Sequence, residues 1–156
     1  MALDELCLHT TRDQRKMKRH EKLIPLSRFH RSCLFLALMA KKNAPDIKSY
    51  PTDLQGKIDY VNSFYQNQLI VHFKKEEQLW NLVIDESAAL KKIIVDLTDE
   101  RKRVVALFEA LAVKPEASCL HTIGIDLEKH VRKEERIRFQ QIQEEFTNEE
   151  LANLHF

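Results

Sequence analysis

Glycine is nearly missing from this chain. Two glycines and four prolines among 156 residues are too few for the tight turns of a β-sandwich or barrel, which excludes an all-β fold. Long apolar runs are missing as well. The main one, LFLALMA at 34–40, is far shorter than the roughly 20 residues that cross a bilayer. The first residues hold no signal-like apolar stretch, so a cytoplasmic location away from membranes is expected. Neither sign of charge dominates: 25 basic and 24 acidic side chains leave a formal charge of +1. No whole-molecule field draws in nucleic acid, and none is expected as a partner. Cysteine is scarce. Cys7, Cys33 and Cys119 are odd in number and show no CxxC spacing, which fits reduced thiols rather than a disulfide framework.

What the chain does contain is Leu, Ala, Glu, Lys and Gln, the good helix formers, in a length that makes one domain around one core. Residues 1–22 are a polar leader carrying RDQRKMKRHEK, with no function assigned to it; residues 23–156 form the domain. A first helix opens at LIPLS, with Pro25 in its first turn, and runs to about Asn43, where NAPDIKSYPT breaks it. Thr52 or Asp53 caps a long second helix with the stripe Ile58, Val61, Tyr65, Leu69, His72, Glu76, Leu79, Val83. After the DES connection, a third stripe reads Leu90, Ile94, Leu97, Arg101, Val104, Phe108, Leu111. The fourth helix starts near Pro115 with Ile123, Leu127, His130, Glu134 and Ile137 inward, and TNEELANL forms a capped terminal turn or short helix. Mostly short connections make neighbours antiparallel. The expected fold is all-α, an up-down-up-down four-helix bundle with a polar N-terminal leader and a short C-terminal helix.

Every stripe turns polar at one height. HFKKEE at 72–77 returns as HVRKEE at 130–135, and residues i and i+4 stand on one helix face. His72 with Glu76, and His130 with Glu134, therefore each present an imidazole and a carboxylate inward. His30, near the start of the first helix, comes to the same level by antiparallel packing. A lone histidine on an apolar stripe is more often a core residue than a ligand, and an HxxxE pair is often a solvated face; the shared level of three histidines favours a site. Glu77, Glu135, Lys75 and Lys133 read as the solvated face. Two ionised glutamates in an apolar interior need a cation, and the mixed donor set suits iron, manganese or zinc rather than calcium or magnesium. Val71, Leu97, Val104 and Leu127 are expected to keep water away from it.

Together these residues resemble the hemerythrin-like (HHE cation-binding) domains, four-helix bundles that hold a non-haem di-iron centre. LIPLSRFHRSCLFLAL is similar to that family's first helix, HFKKEEQLW to its second, and HVRKEERIRFQQIQEEFTNEELANL to its fourth and the tail beyond. The resemblance implies that His30, His72 and Glu76 bind one iron together with Glu134, while Glu76 and Glu134 bridge to a second iron on His130. One position departs from the pattern. The third helix reads TDERKRVVAL, so Arg101 stands where the family has a histidine, and a guanidinium has no lone pair to give a metal. One outcome is a mononuclear centre in which one ion and one guanidinium balance the glutamates. Another is a metal-free network in which Arg101 forks onto Glu76 or Glu134.

The function implied by the resemblance is a small non-haem iron protein that binds or senses oxygen, nitric oxide or iron itself, with the metal ion and a diatomic gas as partners. An iron-dependent redox or iron-delivery protein is one alternative. A metal-free helical interaction module is the other. Nothing in the sequence names a substrate channel, so binding rather than catalysis is expected.

Overall fold

The computed structural model describes residues 18–156; residues 1–17, with most of the basic leader, Cys7 and His9, lie outside the described residues. The first helix spans Ile24–Ala40 and carries Pro25 in its first turn, where a missing N–H breaks no helical hydrogen bond. It stops short of Asn43, which adopts a positive φ of 60° and turns the chain. The second helix runs continuously through Leu54–Phe64, a π-turn at Tyr65–Leu69, and Ile70–Val83. Asp53 is its cap: the carboxylate accepts from the Gly56 N–H at 2.8 Å. Ser87 caps the third helix, Ala88–Val113, by accepting from the Leu90 N–H at 3.0 Å. The fourth helix is Ala117–Lys133, a π-turn at Glu134–Arg138, and Phe139–Glu145. A capping box between Thr147 and Glu150 starts the short fifth helix, Asn148–Ala152.

The four long helices form the expected up-down-up-down bundle, the first packing most extensively on the fourth. Gly124 permits that approach. A Cβ built there would lie 2.6 Å from the carbonyl oxygen of Ala37, so any side chain would push the two helices apart. Two apolar clusters fill the interior, one containing Cys33, Leu36, Phe64, Phe108 and Ile123, the other Leu26, Leu79, Trp80, Leu90 and Phe139. The buried polar residues gather where the two clusters meet along each long helix, with Phe73 and Val131 of the first cluster interleaved among them. His30, His72, Glu76, Arg101, His130, Glu134 and Arg138 make up this layer, none more than 6% exposed. Among the described residues no helix is long and apolar enough to cross a membrane.

Two expectations for the inward stripe fail. Ile137 is 45% exposed, and Arg138 is fully buried in its stead. The π-turn that begins at Glu134 places an extra residue in one helical turn, which moves the next inward positions from i+3 to i+4 and i+5, Arg138 and Phe139. Val71 also points outward at 50% exposure, whereas Leu97, Val104 and Leu127 are buried.

Candidate metal centre

Side chains from three helices meet in the polar layer. His30, His72, Glu76 and Glu134 each offer one ligand atom, and these atoms all lie within 4.8 Å of one another in a fully buried cluster. His30 Nε2 is 3.0 Å from Glu76 Oε1 and 3.0 Å from Glu134 Oε2. His72 Nε2 lies 3.2 Å from Glu76 Oε1, yet it makes no hydrogen bond and is shut off from solvent. Separations near 3 Å suit donors that share one ion at bonds of about 2.0–2.2 Å. His130 stands to one side. Its Nε2 is 3.2 Å from Glu134 Oε1 and also lacks a hydrogen-bond partner. Aromatic rings fix the imidazoles: Phe29 stacks on His72 at 4.4 Å and Phe139 on His30 at 5.6 Å.

Two guanidiniums occupy the same carboxylates. Arg101 does not snorkel to the surface; its Nη2 donates to Glu76 Oε2 in a short contact and to Glu134 Oε1 at 3.3 Å, and its Nη1 donates to the Phe73 carbonyl at 3.2 Å. It lies over the rings of Trp80 and Phe73, 3.9 and 4.2 Å from their centroids. Arg138 is the second, and the sequence reading missed it. Its Nη2 donates to Glu76 Oε1 at 2.9 Å, and its Nη1 comes to 3.4 Å from Glu134 Oε1. The signal was available, since Arg138 stands four residues beyond Glu134, the same spacing that pairs His130 with Glu134.

Glu135 is the other correction. Expected in solvent, it instead accepts from His30 Nδ1 at 2.6 Å, from Ser27 Oγ at 3.1 Å and from Arg19 Nη2 at 2.9 Å. A carboxylate behind the imidazole of this kind fixes the tautomer and leaves Nε2 facing the cluster. Glu100 plays a looser version of the part for His130, with Oε2 3.5 Å from its Nδ1 while Oε1 accepts from Lys133 at 2.6 Å. Lys133 is thereby tied down too, whereas Glu77 and Lys75 are exposed as expected. His121 is elsewhere, accepting from the Lys42 N–H at 2.9 Å.

The charges answer one another. Burial by itself would keep Glu76 and Glu134 protonated, and the Glu134 charge raises Glu76 further; Arg138 and the histidines reverse this and hold both well below the usual carboxylate range. Burial likewise opposes charge on His30, but its hydrogen bonds to Glu134, Glu135 and Glu76 carry the imidazole well above its usual range. Cys33, buried beside this negative charge, is pushed up and stays a thiol. The centre is thus a pair of histidines and a pair of glutamates able to chelate a divalent ion, with guanidiniums on the same glutamates.

The arrangement, an all-helical bundle with a buried two-histidine, two-glutamate cluster, is consistent with a hemerythrin-like fold. Compared with family models, with curated proteins and with solved structures, the chain matches none of them. The likeness to that family rests on the residues and motifs themselves.

Proposed function

We propose that this protein is a hemerythrin-like metal protein that holds a single divalent ion, iron first among the candidates, on His30, His72, Glu76 and Glu134. It binds or senses oxygen, nitric oxide or iron itself. The observation that carries the reading is His72 Nε2: a buried nitrogen without a hydrogen bond, 3.2 Å from the Glu76 carboxylate and within reach of two further donors, His30 and Glu134. A coordinated ion satisfies that nitrogen, which nothing else in the cluster does. Glu135 supports the same reading by orienting His30. A surface groove of about 680 Å³ over Ser27, His30, Val131 and Glu135 offers an approach from solvent. The donor set fits one ion and does not fit a second, because Arg101 brings a guanidinium where a further ligand is needed, leaving His130 as an unshared imidazole.

A ferrous ion held by these residues would supply reversible binding of a small gas. The chain's own part would be to keep the site dry and its donors oriented. Leu97, Val104 and Leu127 exclude water, and Glu135 accepts a hydrogen bond from the His30 Nδ1–H, which leaves Nε2 facing the ion. Metal uptake must release the second His30 proton, so affinity rises with pH.

A second reading has its own observation. Arg101 and Arg138 already neutralise Glu76 and Glu134, so the layer is charge-balanced as a metal-free core of a helical interaction module. Elemental analysis of anaerobically purified protein loaded with ferrous iron separates the two. About one iron per chain, lost on His72→Ala, is expected for the metal reading; a chain that retains none after loading is the metal-free module.

A further inference from the structure

The two arginines invite comparison with what they displace. A second ion bridging the glutamates needs the oxygens turned away from His30 and His72, namely Glu76 Oε2 and Glu134 Oε1, beside His130. Arg101 Nη2 donates to both. Arg138 reaches Glu76 Oε1 and lies beside Glu134 Oε1. A divalent ion carries two positive charges and one guanidinium carries one, so Arg101 alone falls one charge short of the ion whose place it takes. Arg138 makes up the difference.

We infer that Arg101 and Arg138 act as a pair in the place of a second metal ion, so that neither alone decides how many ions the centre holds. The inference rests on the single-ion reading above and deepens it. Three observations carry it. Both side chains are buried, at 6% and 0% exposure. Both lie against Trp80, at 3.9 and 4.7 Å from the ring centroid, whose π-face accommodates two cations that would otherwise only repel. Both leave Nε without a partner and are held at their Nη ends, Arg138 by Glu76 and Arg101 by the two glutamates and the Phe73 carbonyl.

The consequence concerns restoration of the missing ligand. Arg101→His supplies an imidazole but leaves the Arg138 guanidinium on Glu76 Oε1 and beside Glu134 Oε1, where its charge repels an incoming dication. Arg138→Leu removes that charge but leaves Arg101 in the bridging place. Only the double change removes both guanidiniums, and two units of charge, together.

Cobalt(II) is the probe, added anaerobically and followed by metal content per chain and by its ligand-field absorption, with the melting temperature measured with and without metal. Each single variant should keep the wild-type stoichiometry and melt lower than wild type without metal. The double variant should take up one more ion per chain than wild type and regain most of its lost melting temperature when cobalt is present. An extra ion in Arg101→His alone overturns the pairing, as does a double variant that gains none. A double variant that does not fold even when prepared with cobalt also overturns it, because the added ion is required to replace the lost charge. Wild type with no ion at all removes the single-ion reading and leaves the pairing to be judged by the gain of the double variant over the singles.

Discussion

HFKKEE and HVRKEE read as one phrase written twice, and the bundle treats them differently. In both, the histidine and the first glutamate are buried. In the first, the second glutamate, Glu77, is exposed; in the second, Glu135 turns back onto His30. The difference is the backbone. The first phrase follows its π-turn and lies in regular helix, while the second contains the start of one, Glu134–Arg138. That extra residue brings Arg138 inward. The first helix, seated by Gly124, brings His30 and Ser27 over Glu135. A repeated sequence thus buries two histidine–glutamate pairs, but only the second phrase turns its further carboxylate back onto the His30 imidazole.

The comparison is most easily broken at the shared glutamates. Glu76→Gln and Glu134→Gln each leave a buried guanidinium unanswered, and each should cost about 3–5 kcal/mol of stability in denaturant unfolding. Both should also abolish iron retention; if retention is unchanged, the ligand set is wrong. Glu135→Gln removes a charge-assisted hydrogen bond to His30 and should cost about 1.5–3 kcal/mol. The matching change in the first phrase, Glu77→Gln, should stay within about 0.5 kcal/mol. Equal effects at the two positions would show that the phrases are equivalent after all.

Gly124→Ala sharpens the contrast from outside. It forces a methyl group against the Ala37 carbonyl and should destabilise by about 1–3 kcal/mol. It should perturb the His30 imidazole resonances more than those of His72, as read by NMR.

The pH profile separates the phrases most finely. Burial opposes the charge of Glu135, but His30 lowers its carboxyl overall, so its contribution is present above the ordinary carboxylate value of 4.5 and is lost as pH falls through its lowered value. His30 runs the other way. Its contribution is complete below the ordinary histidine value of 6.5 and is lost as pH rises through its raised one. Stability without metal should therefore be highest between these values. In Glu135→Gln the alkaline loss should begin at lower pH, since His30 then faces one negative charge fewer, whereas Glu77→Gln should leave the profile unmoved.

Much of this was legible beforehand. The second helix's stripe from Ile58 to Val83 is buried throughout, because heptad-like spacing of apolar residues tolerates the π-turn at Tyr65–Leu69. Asp53 and the Thr147–Glu150 box cap where their chemistry says they should. The five candidate residues meet in one layer, since i,i+4 pairs on amphipathic helices have one face to turn inward. Arg138, Ile137, Val71 and Glu135 were misread. Arg138 carried a readable signal in its i,i+4 spacing from Glu134, whereas the π-turn that turns Ile137 outward has no local sequence mark in EERIR; Val71 is apolar but stands one residue off the inward stripe; Glu135 depends on a partner 105 positions away.

Sequence by itself determined the helices, their antiparallel order and the level at which charge enters the core, because periodicity and capping act within a few residues. Only the tertiary structure decided that two arginines rather than one answer the glutamates, and which of two identical glutamate pairs supports a histidine. Those outcomes depend on distances between helices, and such distances are set by close approach at Gly124 and by one extra residue in a single turn.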